Sequence, residues 1–281
     1  MKVDFTKMNG LGNDFIILDG IHKELPEDLS DFAKKVCDRH FGLGADGVLL
    51  VLPSDLCDIR MRIINSDGTF AQMCGNGIRC FAAYVYKKGF VTETEMTVET
   101  DAGTIRPRLV FNGDTVKKVE VDMGVPRLDP SSIPVNIGGE KAIGYPYLFQ
   151  DEEIELNCVS MGNPHVVTFW KRLTEAPFEL LGPKLEKDSL FPEKTNVEFV
   201  EIVNDGEINV RVFERGCGET LACGTGACAS MVASVLNGYT GREVTVRLRG
   251  GNLICCWHEN EHVVMTGPVA FVAEGVYEYN L

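Results

Sequence analysis

The sequence predicts an α/β protein of the mixed α+β kind, built by internal duplication into two similar domains. Three observations carry this. The chain has 281 residues, about twice the ~150 that one domain typically uses. It matches itself at an offset of 149 residues. In each half, short β-branched runs are followed by a glycine-initiated helical pattern.

The offset places Cys74 on Cys223, Arg62 on Arg211, Asn65 on Glu214 and Gly47 on Asn196. Residues 59–65 fall on 208–214, Val48-Leu49-Leu50-Val51 on Val197-Glu198-Phe199-Val200, and Gly89-Phe90 on Gly238-Tyr239. With a slip of one residue, Gly12-Asn13 falls on Gly162-Asn163. Shared hydrophobic periodicity would align apolar positions between any two α/β segments. It would not align glycines and a cysteine pair, so duplication is the stronger reading.

In chain order, strands are expected over Lys2–Thr6, Phe15–Asp19, Val48–Leu52, Asp58–Asn65, Met96–Thr100, Thr104–Phe111 and Val116–Asp122. Each is rich in β-branched residues and bounded by turn formers. Leu29, Phe32, Ala33 and Val36 lie on one helical face, predicting a helix over Leu29–His40. Ile78, Phe81, Ala82, Val85 and Tyr86 predict a buried helix over Gly75–Lys88. Its counterpart is Gly224–Leu236, with Ala227, Ala229, Met231, Val232 and Val235. Pro126–Gly144 is rich in Pro, Gly and Ser and reads as a connector. Gly42-Leu43-Gly44-Ala45-Asp46-Gly47 fits the spacing of a dinucleotide-binding loop, but a helix precedes it and a strand follows. That order is the reverse of what pyrophosphate binding needs, and a tight turn is the better reading.

Apolar residues make up 44% and charged residues 24%, enough for a sizeable core without metal or disulfide staples. With 27 Lys and Arg against 41 Asp and Glu, the net charge is −14. That balance argues against nucleic-acid or anionic-membrane partners. No stretch approaches the roughly 18 apolar residues of a membrane span, and residues 1–15 lack the apolar run of a signal peptide. A cytoplasmic protein with reduced thiols is therefore expected. None of the ten cysteines forms a C-x-x-C pair and no His cluster has finger spacing, so no metal site is expected.

Free cysteines are most often buried packing residues. Shifting all ten by 149 leaves only Cys74 and Cys223 superposed, each opening a Gly-rich helix: Cys74-Gly75-Asn76-Gly77 and Cys223-Gly224-Thr225-Gly226. A helix N-terminus offers free N–H groups and partial positive charge, which hold a carboxylate and favour a thiolate. Two such termini across a two-domain cleft could grip one carboxylate and set a sulfur on each face of the adjacent carbon. One thiolate would remove the α-proton and the other thiol would protonate the opposite face. A redox pair would normally be C-x-x-C, a metal site needs further ligands, and a covalent hydrolase needs only one cysteine.

Residues 73–80 (Met-Cys-Gly-Asn-Gly-Ile-Arg-Cys), Gly162-Asn163-Pro164-His165, the run Glu214 to Gly226 and the opening Lys7 to Phe15 resemble the diaminopimelate epimerase family. The resemblance spans essentially the whole chain in motif order. It implies a cofactor-free epimerase, acting without pyridoxal phosphate, that interconverts LL- and meso-diaminopimelate for lysine and cell-wall precursors. It implies two domains, each a barrel-like mixed sheet around a central helix, with residues 1–118 and 264–281 in one and 119–263 in the other. It also implies a small amino-acid substrate and a homodimer.

Carried over by position, Cys74 and Cys223 are the acid/base pair, and Gly75, Asn76, Gly224 and Thr225 offer backbone N–H groups to the carboxylate at the reacting carbon. Asn13, Asn65, Asn163, Asn196, Glu214 and Arg215 correspond to substrate contacts, and His165 and Glu214 to residues that tune the thiols. On the residues alone, Asn beside Gly also forms turns, Glu214-Arg215 also ends a strand, and His165 is also an ordinary structural histidine. Two departures stand out: Gly47 occupies a position where many relatives carry Gln, and Cys217 adds a third thiol six residues before Cys223. A proline or hydroxyproline racemase is the alternative, disfavoured by Asn76. A phenazine-type isomerase is disfavoured by the cysteine pair. A thiol redox sensor is the reading from another class.

Overall fold

Apolar, β-branched runs form strands, and the two Gly-initiated segments form the helices those strands wrap. In residues 1–279, which the computed structural model describes, the first half holds β1 (Lys2–Gly10), β2 (Asn13–Asp19), α1 (Leu29–Cys37), β3 (Gly47–Leu52), β4 (Ile59–Asn65), β5 (Phe70–Ala71), α2 (Gly75–Lys87), β6 (Val98–Thr100), β7 (Gly103–Ile105), β8 (Pro107–Asn112) and β9 (Thr115–Asp122). The second half holds β10 (Tyr145–Phe149), β11 (Glu152–Ser160), β12 (Pro164–Phe169), α3 (Phe178–Glu186), β13 (Asn196–Asn204), β14 (Glu207–Glu214), β15 (Gly218–Thr220), α4 (Gly224–Leu236), β16 (Glu243–Leu248), β17 (Gly251–Trp257), β18 (Val263–Pro268) and β19 (Ala270–Glu278). The chain divides into one unit of Met1–Val121 plus the segment from Thr266 onward, and another of Asp122–Met265.

The first unit's sheet runs β19-β1-β2-β3-β4-β6-β7, with β5 paired to β4. β1–β2 and β3–β4 pair antiparallel; β2–β3 and β4–β6 pair parallel. Within the second unit the order β11-β12-β13-β14-β16-β17 repeats that alternation, and β15 pairs with β14 as β5 does with β4. The duplication read from sequence is therefore a duplication of strand pairing. It also explains the helices. α2 packs against β1, β2, β3, β4 and β8, and α4 against β11 to β14, β16 and β17. α4 is enclosed by its own sheet and α2 by its own sheet together with β8, which is why both are buried over most of their length.

Four elements differ from expectation for local reasons. The run Thr104–Phe111 is two strands, interrupted at Arg106 before Pro107, which supplies no N–H. The first helix stops at Cys37 because Asp38 turns its carboxylate onto the His40 and Phe41 N–H groups. The segment Pro126–Gly144 contains no helix or strand, yet Ile133, Val135, Ile137 and Ala142 are buried in the second unit's core. α3 forms although Pro183 lies inside it, held by Phe178, Leu181 and Leu185 packed against β13 and β14.

Candidate active site

Both helices begin on a cysteine used as an N-cap. Cys74 has φ −145° and ψ 120°, and its Sγ accepts from the Gly77 N–H at 3.4 Å. Cys223 has φ −123° and ψ 117°, and its Sγ accepts from the Gly226 N–H at 3.3 Å. Ser, Thr, Asp or Asn normally fills this position. Sulfur here accepts the same bond at the first turn, whose N–H groups point along the helix axis, the arrangement needed to bind a carboxylate.

In the first unit the structure brings Cys74, Gly75, Asn76 and Asn13 together. The Cys74 thiol donates to Asn13 Oδ1 at 3.6 Å, and Asn76 Nδ2 donates to the same oxygen at 3.2 Å. Asn13 is fixed from behind, since its Nδ2 donates to Asp46 Oδ2 at 2.7 Å. Asp46 also accepts from Arg39 and from the Asp14 N–H, while Lys7 pairs with Asp14 at 2.9 Å and donates to the Leu43 and Gly44 carbonyls. The 42–47 loop is thus a clamped turn that orients Asn13. Burial raises Asp14, but hydrogen bonds and charge from Lys7 and Arg39 outweigh it and hold the carboxyl below its ordinary value. Arg79 is fully buried one turn into α2, donating to Gly75 O and to Asn76 Oδ1, both at 2.8 Å. Asn65 ends β4, its Nδ2 donating to Thr69 Oγ1 at 3.0 Å. A Cβ at Gly47 would lie 2.7 Å from Ile64 O, so the backbone leaves that position no room for a side chain.

In the second unit Cys223 lies 3.5 Å from Thr225 Oγ1. Behind it are His165, whose Nε2 is 3.1 Å from Asn163 Oδ1, and Glu198, whose Oε1 is 2.7 Å from His165 Nδ1. Asn196 is buried and donates to Pro164 O at 2.9 Å; its Oδ1 accepts from the Arg215 N–H at 3.0 Å. It fixes the two chain segments that carry His165 and Arg215. Arg215 reaches the Glu193 carbonyl at 3.0 Å, and Glu214 accepts from the Thr220 hydroxyl.

The helix terminus does not lower the Cys223 thiol, contrary to expectation. Burial, reinforced by the carboxylates of Glu214 and Glu198, pushes it well above the ordinary thiol range. Desolvation and two negative charges outweigh the N–H and hydroxyl contacts. Burial likewise pushes Cys80 and Cys158 up to about 12, leaving them as inert packing residues. Cys217 is exposed in the turn before β15.

Sequence reasoning missed Glu198 and the Asp46 clamp. The signal for Glu198 was the offset itself, which set a carboxylate on Leu49 inside an apolar strand. Among the described residues, no group of three or more His, Cys, Asp or Glu could hold a metal, and no helix is long and apolar enough to cross a membrane.

A family model described as Diaminopimelate epimerase matches residues 5–128 and 157–272. A protein of Desulfitobacterium hafniense named diaminopimelate epimerase is 51% identical over 277 residues, covering 98% of each chain. One of Moorella thermoacetica with the same name is 49% identical, over 96% of this chain and 98% of its own. Among solved structures, a phenazine biosynthesis protein of the PhzF family from Bacillus anthracis superposes with a TM-score of 0.72 at 18% identity, covering 99% of this chain and 100% of its own. A hydroxyproline epimerase from Agrobacterium vitis gives 0.70 at 15%, covering 98% and 91%. At those identities the two structures bear on fold alone.

Proposed function

The chain belongs to the diaminopimelate epimerase family, and from that premise we propose that Cys74 and Cys223 carry out the stereoinversion as a two-base pair. The activity is epimerisation of diaminopimelate, an isomerase reaction of lysine biosynthesis. The observation that carries the assignment is the shared cap: two thiols alone among ten occupy equivalent N-cap positions, each with its sulfur on the third N–H of its helix.

The chemistry follows from the donor set. First-turn N–H groups at Gly75, Asn76, Gly224 and Thr225 bind the carboxylate at the reacting carbon and stabilise the charge that develops as its α-proton leaves. One sulfur takes that proton, and the other returns one to the opposite face. Asn13, Asn65, Asn163, Asn196, Glu214 and Arg215 hold the remainder of the substrate, with Arg215 suited to the distal carboxylate. His165 and Glu214 act on the thiols. No organic cofactor is required in this scheme, because the helix N–H groups supply the electrophile.

The test is proton NMR of the reduced protein with LL-diaminopimelate in deuterated water. Loss of one α-proton signal with formation of meso product is expected. Exchange with proline or hydroxyproline instead would move the assignment to the racemases, and no exchange with either would sink it. We further propose a cytoplasmic homodimer. Its support is β19, the outermost strand of its sheet, which exposes Val272 and Val276. A monomer mass by light scattering would remove the dimer.

A further inference from the structure

A buried ionisable pair in the second unit replaces an apolar pair in the first. In the first unit, β2 and β3 set Phe15 and Leu49 against Gly77; a Cβ there would meet Leu49 Cδ2 at 3.4 Å and Phe15 Cζ at 3.5 Å. In the second unit, β12 and β13 place His165 and Glu198 at the equivalent strand positions, each fully buried. The carboxylate takes Leu49's place: a Cβ at Gly226 would lie 2.6 Å from Glu198 Oε1 and 3.3 Å from Cys223 Sγ. Those two distances put the oxygen and the sulfur within the ~4–6 Å over which one charge shifts a neighbouring group. Glu198 Oε2 is buried with no hydrogen-bond partner among the described residues. A buried carboxylate oxygen left in that state is costly and calls for a role.

We propose that Glu198, held by His165, is a positioning residue that keeps Cys223 protonated before substrate arrives, leaving Cys74 as the thiol that ionises first. The proposal rests on the two-thiol reading above. The charged groups acting on Cys223 are Glu198 from β13 and Glu214 from β14, with His165 of β12 behind Glu198. Thr225 Oγ1 and the Gly226 N–H favour the ionised sulfur, and the carboxylates and burial prevail. At the other helix start the Arg79 guanidinium is fully buried, where the second half carries Cys228, and the Asp14 carboxylate follows Asn13 in an ion pair with Lys7 and Arg39. Cys74 donates to Asn13 Oδ1 at 3.6 Å and, like Cys223, caps its helix. In the first half-reaction the Cys74 thiolate takes the α-proton, and the C–H electron pair stays on the substrate as an enolate-like carbanion. The Cys223 S–H then delivers its proton to the opposite face. One C–H bond breaks and one forms, and the chain ends with Cys74 protonated and Cys223 ionised.

The experiment is iodoacetamide alkylation of the intact reduced chain across pH, with each cysteine's rate read by peptide mass spectrometry. The pH midpoint reports ionisation, whereas burial alone changes only the plateau rate. Cys74 is expected to have the lower midpoint. Glu198→Gln should lower the Cys223 midpoint by about one unit, roughly tenfold in thiolate at neutral pH, with Cys74 unmoved. The double change His165→Phe with Glu198→Leu, which restores the first unit's apolar pair, should do the same if the single variant fails to fold. Coincident midpoints in the parent chain, or a Cys223 midpoint that neither variant moves, would overturn the proposal. Deuterium exchange into diaminopimelate by the parent chain tests the two-thiol reading separately. Normal exchange with unmoved midpoints leaves that reading standing and removes this one alone.

Discussion

The starts of α2 and α4 share a backbone and differ in the buried groups around it. Both cap with a cysteine sulfur on the third N–H, and both follow a small strand paired to the preceding long one. Around that shared frame, Arg79 stands where the second half has Cys228, and Leu49 and Asn65 stand where it has Glu198 and Glu214. The lesson is chemical. Two identical thiols in identical surroundings would ionise together, giving two bases or two acids. An acid and a base operating at one pH need environments that drive their proton affinities apart. Duplication supplied two equivalent helix starts, and on the proposal above the divergence of a few side chains around them makes their sulfurs unequal.

The largest effects should come from removing either sulfur. Cys74→Ala and Cys223→Ala are each expected to lower epimerisation by about a thousandfold or more, the scale of losing a positioned acid or base. Cys217→Ala, an exposed thiol of the same segment, should stay within about twofold. Rates of meso product formation decide it. If Cys217→Ala is as damaging as the other two, the equivalence of Cys74 with Cys223 is the wrong frame.

A smaller effect should separate the third residues of the two helices. Gly226→Ala forces a Cβ to 2.6 Å from the buried Glu198 carboxylate, so the pair must shift; about 1–3 kcal/mol of stability and a marked loss of rate are expected. At Gly77 the nearest atoms lie at 3.4 Å, ordinary contact, and alanine improves helix propensity by up to about 1 kcal/mol. Gly77→Ala should therefore fold at least as stably as the parent. Urea midpoints for the pair measure the difference, and equal destabilisation would mean that the carboxylate is not what crowds Gly226.

The same contrast shows what was legible in the sequence. Duplication, the two buried helices and the superposed cysteines could be read directly, because they repeat at one offset and obey simple periodicities. Glu198 was visible only as a mismatch with Leu49, and nothing local says that a carboxylate in an apolar strand faces a histidine of the neighbouring strand. The Asp46 clamp was hidden similarly: Lys7, Asp14, Arg39 and Asp46 are scattered over 40 residues and converge only once β1, β2 and the 42–47 loop are placed. Helix α3 escaped because its propensity is poor and tertiary packing of Phe178, Leu181 and Leu185 sustains it. The lowered thiol expected at Cys223 failed for a related reason. The helix terminus is local and readable, while the burial and carboxylates that outweigh it belong to the tertiary structure.

The smallest expected effect concerns how each unit holds its asparagine. Asn13 and Asn163 correspond in the repeat, yet Asn13 is backed by the cluster of Lys7, Asp14, Arg39 and Asp46 and Asn163 by His165. Asp14 is held below its ordinary value in the folded chain, so its ion pairs contribute stability above the unfolded carboxyl's pKa near 4. That contribution is lost as pH falls through the lower folded value. Asp14→Asn should therefore cost about 1–2 kcal/mol at pH 7, as the loss of a partly exposed charged cluster, and progressively less below about pH 4. Urea unfolding of parent and variant at both pH values measures the gap. A gap that does not shrink in acid would show that Asp14 matters for packing rather than charge, and that the first unit's asparagine does not depend on this carboxylate's ionisation.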